Sequence, residues 1–176
     1  MTALERHTLC LQLQVIFRFA EREDLPKLEW YGKYTHFRRV FERTYEEQLR
    51  GLRLMLLADV NGFPIGQIFI QLERYEDSWR AMGKHAYLYS LRVMDAFQRQ
   101  GLGSALLREA EAILRERRYA SVSIAAAKEN SAARRLYERH GFCVIAEDAG
   151  RWSYEDHQGV MHYVNEPCWI LEKTLR

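Results

Sequence analysis

The residues with the clearest potential for chemistry lie at 98–104 and read Gln98-Arg99-Gln100-Gly101-Leu102-Gly103-Ser104. Residues 87–93 before them are aromatic and β-branched, which predicts a strand. Residues 105–118 after them carry apolar side chains at helical spacing, which predicts a helix. A helix start has free N–H groups and partial positive charge, and glycine lets an anion approach the backbone closely. This strand–loop–helix segment therefore predicts a site for a phosphate or diphosphate group.

Two familiar phosphate-binding patterns do not fit these residues. No Lys-Ser or Lys-Thr pair follows the glycines, so the P-loop pattern fails. A dinucleotide fingerprint accepts Gly101 and Gly103, but Leu106 occupies its third position. The pattern of residues 98–104 alone leaves the kind of phosphate ligand open.

A second segment with chemical potential starts at Asn130, and either Asn130 or Ser131 can cap a helix that ends at Gly141. Ala133, Leu136 and Tyr137 share one face of that helix. Spacing alone favours Tyr137 as a core aromatic residue, although its hydroxyl could also act as a proton donor.

Composition limits the possible classes of function. The chain has 176 residues, of which 48% are hydrophobic and 28% charged, so we expect one domain with an ordinary core. The net charge is only +2 and the arginine-rich pieces are interleaved with glutamate, so nucleic-acid binding is not expected. No apolar run is long enough to span a bilayer and no signal peptide is visible, so we expect a cytoplasmic protein without a membrane partner.

Metal binding is not expected either. Cys10, Cys143 and Cys168 are widely spaced and form no C-x-x-C motif, which favours reduced thiols. Among the six histidines, His157 and His162 lie five residues apart across a predicted turn, which is not a helical metal-binding spacing.

The predicted elements give a mixed sheet. We predict strands at 15–20, 52–60, 65–72, 87–93, 121–126, 142–146 and 161–175, helices at 25–34, 41–49, 105–118 and 130–141, and a loop or hairpin at 150–159. Asn61-Gly62 predicts an antiparallel hairpin, and the strand–helix–strand passage through 87–126 predicts a parallel crossover. The fold class is therefore α+β, with helices on both faces of the sheet. One domain covers 1–176, with 1–14 as an N-terminal extension.

Two motifs on these elements resemble a known family. Leu91-Arg92-Val93 followed by the Gln-x-x-Gly-x-Gly of residues 98–103 is similar to the acyl-CoA-binding motif of the GNAT superfamily, the acyl-CoA-dependent N-acyltransferases. The segment from Asn130 to Phe142 resembles the N-x-x-A-x-x-L-Y-x-x-x-G-F stretch of bacterial members. The element order is also similar over about residues 15–175. The resemblance implies a mostly antiparallel six- to seven-stranded sheet whose central parallel pair splays apart to hold CoA.

The resemblance also implies a reaction and site residues. Acetyl-CoA would be the acyl donor, and a primary amine would attack it directly. Tyr137 would be the catalytic proton donor to the CoA sulfur, and Asn130 would contact CoA, cap its helix, or do both. The pantetheine arm would bind the backbone of Leu91, Arg92 and Val93, and the pyrophosphate would bind N–H groups of Gln98, Arg99, Gln100, Gly101, Leu102, Gly103 and Ser104. Relatives are often dimers, so a homodimer is an expectation by analogy.

Several points stay open at this stage. Many relatives place a glutamate on the strand before the glycines, where this chain has Tyr87, Tyr89 and Ser90, so the general base is either Glu73 or a chain of waters. We expect the acceptor pocket to be walled by aromatic residues of the first helices and by the late loop, namely Trp30, Tyr31, Tyr34, His36, Trp152, Tyr154, Glu155 and Asp156. These side chains suit a cationic amine, but they suit a dimer interface equally well. The missing glutamate also keeps a non-catalytic acyl-CoA-binding or regulatory module as the alternative function.

Overall fold

A computed structural model of the chain describes residues 12–72 and 84–175. Its strands are β1 (Ile16–Phe19), β2 (Arg53–Val60), β3 (Phe63–Leu72), β4 (His85–Val93), β5 (Ser121–Ala127), β6 (Cys143–Asp148), β7 (Arg151–Glu155), β8 (Met161–Asn165) and β9 (Cys168–Thr174). Its helices are α1 (Arg38–Leu49), α2 (Leu102–Glu116) and α3 (Ser131–Arg139), and short 3₁₀ turns precede α1 and α2.

Seven strands form one sheet in the order β1-β2-β3-β4-β5-β9-β6. Only β4 and β5 are parallel neighbours in this sheet, and α2 connects them. Strands β7 and β8 form a separate two-stranded hairpin, so residues 150–159 belong to a hairpin. The α+β class and the mixed, mostly antiparallel sheet are confirmed.

The predicted turn at Asn61-Gly62 joins β2 to β3. Both residues have positive φ angles, 51° and 79°, as a two-residue hairpin turn of the primed type requires. Val60 and Phe63 are register partners on either side of the turn. The hairpin prediction is therefore confirmed.

Helices cover both faces of the sheet because residues of β2 alternate between two cores. Leu54 and Leu56 belong to the larger core, which also contains the α2 residues Leu106 and Leu114. Met55 and Leu57 belong to the smaller core, together with Leu28 and with Phe41 of α1. Burying each such side chain contributes about 1.5–3 kcal/mol to folding.

The helix predicted at 25–34 is absent, and that prediction is wrong. The segment contains a 3₁₀ turn at Lys27–Glu29, after which Trp30 and Tyr31 adopt left-handed conformations with φ angles of 43° and 58°. The Trp30 ring is buried, and its Nε1 donates a hydrogen bond to the Pro64 carbonyl oxygen at 2.9 Å. Left-handed residues cost roughly 1–2 kcal/mol each, and burial of the indole offsets this cost.

A glycine on β3 lets α2 approach the sheet closely. Gly66 is the register partner of Val93, and a Cβ placed on it would lie 3.1 Å from the Leu106 Cδ1 atom. The same Cβ would lie 3.4 Å from the Leu102 Cδ2 atom at the start of α2. The small residue at 66 therefore lets the first turn of α2 lie close to β3 and β4.

A β-bulge divides β4 into two parts. The register with β3 shifts between Gln67 and Phe69, and Ser90 of β4 has a φ angle of +52°. One extra residue in β4 is accommodated there, which bends the strand and increases its twist.

Candidate active site

The two parallel strands separate at the bulge. Their register pairs run from His85–Ser121 to Leu88–Ile124 and then stop. Beyond this point β4 pairs only with β3, and β5 pairs only with β9. The facing edges of β4 and β5 thus present backbone N–H and C=O groups without strand partners, which is the splayed arrangement expected from the sequence. Such groups favour a ligand that can satisfy them.

A cleft of about 580 Å³ opens at this separation. It is lined by the β4 residues from Tyr87 to Arg92, by α1, by Tyr137 of α3, by the ends of β5, β6 and β9, and by β7. The structure therefore brings Tyr137, Leu91 and Arg92 together in one cavity. Val93, Asn130 and residues 98–104 do not line this cavity and lie outside it.

Tyr137 enters the cleft from the α2 side of the sheet. It is buried and packs on Phe142, with ring centroids 6.2 Å apart. Burial raises the pKa of Tyr137 well above its ordinary value, and nearby Tyr87 raises it further. The phenol therefore stays protonated at any ordinary pH, as a proton donor must.

Residues 98–104, which we call the glycine loop, run into the first turn of α2. Gly101 is the N-cap residue and has a φ angle of 85°, a conformation that favours glycine. Within the described residues, the backbone N–H groups from Arg99 to Ser104 have no hydrogen-bond acceptor, and no side chain caps the helix. The loop thus presents a row of free donors at a helix N-terminus, as anion binding requires.

Side chains of the glycine loop stabilise its own shape. The Gln98 amide donates to the Val93 carbonyl oxygen at 3.0 Å and to Asp95 Oδ1 at 3.1 Å. The Gln100 amide donates to the Ala96 carbonyl oxygen at 3.1 Å. Arg99 is exposed and has a positive φ angle of 59°. The two glutamine side chains therefore support the turn while the backbone N–H groups stay free.

Asn130 caps α3, as its position predicted. Its Oδ1 atom accepts a hydrogen bond from the Ala133 N–H at 3.0 Å. This bond satisfies one free donor of the helix start and orients the helix that carries Tyr137.

An aromatic wall closes the cleft between α1 and the β7–β8 hairpin. The rings of Phe37 and Tyr154 have centroids 4.7 Å apart, and Trp152 stacks on Tyr154 at 5.4 Å. Arg39 of α1 also pairs with Glu155 of β7. Trp152 and Tyr154 thus wall the cleft as expected, whereas the other predicted wall residues, Tyr34, His36, Glu155 and Asp156, do not line it. Trp30 is in the core, and Tyr31, 87% exposed, stacks on Phe63. Phe37 was missed because its position before α1 gives it no periodic signal.

The cleft is also lined by two carboxylates, those of Asp148 and Glu166, which the sequence analysis did not predict. Asp148 Oδ1 accepts the Gly150 N–H at 2.7 Å in the turn after β6. Burial raises the pKa of Tyr87, and the negative charge of Asp148 raises it further. The short Asp-Ala-Gly turn was a visible signal, but nothing in the sequence placed it beside β4. The predicted candidate Glu73 lies outside the described residues.

Tyr89 joins β4 to α1 and β2 beside the cleft. Its hydroxyl accepts a hydrogen bond from Arg53 Nη1 at 2.6 Å. Burial raises the pKa of Tyr89, and Arg53 and Thr44 partly oppose that shift. Tyr89 is therefore a neutral, fixed wall of the cleft.

Other site classes find no support in the described part of the chain. No group of three metal-ligating side chains lies together among residues 12–72 and 84–175. Within the same ranges, no helix combines the length and apolarity that crossing a bilayer demands. Cys143 and Cys168 are free thiols, and Cys10 lies outside the described residues.

Comparison with protein families identifies the class of enzyme as an acetyltransferase. Residues 17–142 match the acetyltransferase (GNAT) family. The match spans more than half of the chain, so the chain belongs to this family and is an acyl-CoA-dependent acetyltransferase. Comparison with curated proteins gave no match.

Solved structures share the fold at low sequence identity. Arabidopsis thaliana NAA60 in complex with acetyl-CoA superposes with a TM-score of 0.68 at 18% identity, over 92% of this chain and 99% of that one. The ribosomal-protein-S18-alanine N-acetyltransferase of Escherichia coli gives 0.67 at 23% identity, over 92% and 94%. Ard1 of Thermoplasma volcanium gives 0.68 at 18% identity, over 92% and 98%. These likenesses establish the fold.

Proposed function

We propose that this protein transfers an acetyl group from acetyl-CoA to a primary amine by direct attack of the amine. The observation that carries the proposal is the joint placement of a splayed parallel pair, a loop of free N–H donors and a buried, protonated Tyr137. Acetyl-CoA, when bound, supplies the acetyl group as a thioester. Binding of this thioester and transfer of the protons are left to the residues of the chain.

The site fits an acyl-CoA. The free N–H groups of Arg99, Gln100, Gly101, Leu102, Gly103 and Ser104 would hold the diphosphate. The Gln98 N–H, also predicted for this role, already donates to the Asp95 carbonyl oxygen at 3.3 Å. The edge of β4 at Leu91, Arg92 and Val93 that has no partner on β5 would hold the amides of the pantetheine arm. Asn130, as the cap of α3, lies at the far side of the splay and is proposed as a further contact.

Tyr137 is proposed to give its proton to the departing sulfur. Its burial keeps the phenol protonated, and its position in the cleft lining places it at the strand separation. General acid catalysis of this kind contributes typically about 10²–10⁴ in rate. A tyrosine that only packed in the core would contribute nothing to turnover.

Direct attack is favoured over a covalent relay through cysteine. Cys168 is the cysteine that lines the cleft, and burial raises the pKa of its thiol, as do Asp148 and Glu166. The thiolate is the nucleophilic form, so this environment makes Cys168 a poor nucleophile. We expect Cys168→Ala to retain most of the wild-type rate.

The amine must lose a proton before it attacks, because alkyl amines are mostly cationic near neutral pH. Asp148 and Glu166 are the described carboxylates of the cleft, and Asp148 lies close enough to Tyr87 to perturb its pKa. We propose that these carboxylates attract the ammonium form and that its proton leaves through water. Glu73 stays a prediction, as do the homodimer and the cytoplasmic location.

Initial-rate kinetics test the proposal. Release of the CoA thiol is measured with acetyl-CoA and a panel of primary amines, varying both substrates. Direct attack predicts intersecting double-reciprocal lines and no acetylated protein by mass spectrometry. Parallel lines with an acetyl-protein adduct would indicate a covalent relay. Thermal stabilisation by acetyl-CoA without thiol release across the panel would favour the non-catalytic binding module instead.

A further inference from the structure

Arg92 faces the acceptor side of the cleft although its neighbours face the core. Leu91 and Val93 pack against the larger core on the α2 face of the sheet. Arg92 lies between them on β4, lines the cleft and points toward the α1 face. Its side chain is therefore separate from the backbone groups that we assign to pantetheine.

The guanidinium of Arg92 lies against two neighbouring aromatic rings, and its side chain has no polar partner in the described residues. Its Cζ atom lies 4.4 Å from the ring centroid of Tyr34 and 4.8 Å from that of Phe37. The side chain of Arg92 forms no hydrogen bond and no ion pair within residues 12–72 and 84–175, while its backbone pairs with Gln67 of β3.

Carboxylates of the surrounding segments are already paired with other cations. Glu29 binds Arg38, Asp95 binds Lys33, and Asp156 binds His162. These pairs leave Arg92 as a cation of the aromatic wall without a described counter-ion.

This arrangement leaves the N–H donors of Arg92 available to a ligand in the cleft. The two aromatic rings attract the charge of the guanidinium but offer no acceptor to its five N–H donors. Burial lowers the pKa of Arg92, yet an arginine keeps its charge in proteins. Arg92 is half-buried and lines the cleft, so its N–H donors are accessible from there, and a carboxylate in the cleft would accept from two of them in a bidentate pair.

We propose that Arg92 binds a carboxylate of the acceptor, so that the acceptor is a primary amine that also carries a carboxylate. The charges of the opposite wall agree with this, because Asp148 and Glu166 would attract the ammonium end of the same molecule. The proposal rests on the proposed function for its amine, but the binding of a carboxylate at Arg92 can be measured without turnover.

The first experiment measures binding by calorimetry on the full chain saturated with CoA. The probes are ω-amino acids from glycine to 6-aminohexanoate, each compared with its own primary amide, which keeps the amine and removes the negative charge. We expect at least one acid to bind roughly ten- to hundredfold more tightly than its amide, the usual range for a charge-assisted hydrogen-bonded pair. Equal affinities across the whole series would overturn the proposal.

Variants then locate the carboxylate. Arg92→Gln should bring the acid-to-amide affinity ratio close to 1, and Arg92→Lys should keep part of it. Arg43→Gln is the matched control, since Arg43 also lines the cleft, from α1, and is exposed. The ratio is taken within each variant, so partial unfolding does not imitate the effect. If Arg43→Gln brings the acid-to-amide affinity ratio close to 1 and Arg92→Gln leaves that ratio unchanged, Arg92 is only a packing residue.

Turnover separates this inference from the proposed function. The same acids and amides are assayed for thiol release with acetyl-CoA. Preferential binding of acids without any acetylation would contradict the proposed function and support the carboxylate site. Acetylation of acids and amides with equal kcat/KM, together with equal binding, would support the proposed function and contradict the carboxylate site.

Discussion

Leu88 on β4 and Ile124 on β5 form the last register pair of the two parallel strands. Two residues later the backbone of β4 reaches Ser90, whose φ angle of +52° marks the bulge against β3. The strands therefore part at one defined point, and Tyr137 lines the cleft that opens there. Substitutions in the glycine loop, at Tyr137 and in the aromatic wall therefore test the groups that lie around this separation.

Gly101 should be needed for acetyl-CoA binding beyond its share in stability. Gly101→Ala places a Cβ at a φ angle of 85°, which costs roughly 1–2 kcal/mol and shifts the neighbouring N–H groups. We expect the Kd for acetyl-CoA, measured by calorimetry, to rise about tenfold, an energy of about 1.4 kcal/mol. Gly51→Ala is the matched control, because Gly51 is exposed, has a φ angle of 73° and likewise has nothing within 4 Å of an added Cβ. Equal affinities in the two variants would remove the loop from the site.

Tyr137→Phe should lower turnover without unfolding the protein. The ring still fills its buried place, but the proton donor is lost, so we expect kcat to fall by about 10²-fold. Thiol release with a fixed amine measures the rate, and thermal stabilisation by acetyl-CoA confirms that the donor substrate still binds. Tyr119→Phe controls for loss of a buried hydroxyl in the same core but outside the cleft lining. A Tyr137→Phe rate equal to that of the wild type would refute the donor role.

Tyr154 should matter for the acceptor rather than for acetyl-CoA. Its ring contacts Phe37, Trp152 and His162, so Tyr154→Ala opens the wall between α1 and the hairpin. Aromatic contacts of this kind are worth about 0.5–1.5 kcal/mol each, so we expect kcat/KM for the amine to fall about tenfold. Tyr163→Ala serves as the control, because Tyr163 is on the same hairpin but 85% exposed. An increase in the acetyl-CoA Kd with unchanged amine kinetics would contradict this assignment.

Asp156 should make the stability of the hairpin depend on pH. His162 beside Asp156, together with the Val160 N–H, lowers the pKa of Asp156 from 3.8 to about 2. A depressed carboxyl pKa contributes stability above the unfolded-state value, and this is lost as the pH falls from about 3.8 toward about 2. Asp156→Asn should therefore lower the Tm at pH 7, with a difference that shrinks below pH 4.

Thermal unfolding of both proteins across this pH range provides the measurement. Glu138→Gln, which removes an exposed ion pair with Arg134 on α3, should show little difference at any pH. A Tm difference between Asp156→Asn and the wild type that stays constant down to pH 2 would exclude the charge of Asp156 as the cause of the destabilisation.

The sequence was informative wherever local chemistry decides the structure. The glycines of the loop, the Asn130 cap and the Asn61-Gly62 turn act over a few residues, so each was predictable from residue type and spacing. The helix predicted at 25–34 failed because burial of the Trp30 ring and its bond to Pro64 override the local helical pattern. Tertiary burial of this kind leaves no periodic signal.

The acceptor side of the site was largely hidden for the same reason. A bulge at Ser90 sets which face Arg92 occupies, and alternation along a strand cannot reveal an inserted residue. Asp148 joins the cleft only because β9 lies between β5 and β6 in the sheet. Both relationships depend on strand order and register, which one sequence does not display.

Gly66 lies two strands away from β5 and outside the cleft lining, yet its missing side chain makes room for Leu102 and Leu106 of α2, the helix that continues the glycine loop. A methyl group at this position would lie 3.1 Å from the Leu106 Cδ1 atom and 3.4 Å from the Leu102 Cδ2 atom, so these α2 side chains would have to adjust to admit it. The packing of the start of α2 on β3 is thus tightest at residue 66. A change of acetyl-CoA affinity in Gly66→Ala would show that this packing, remote from the cleft lining, influences the glycine loop.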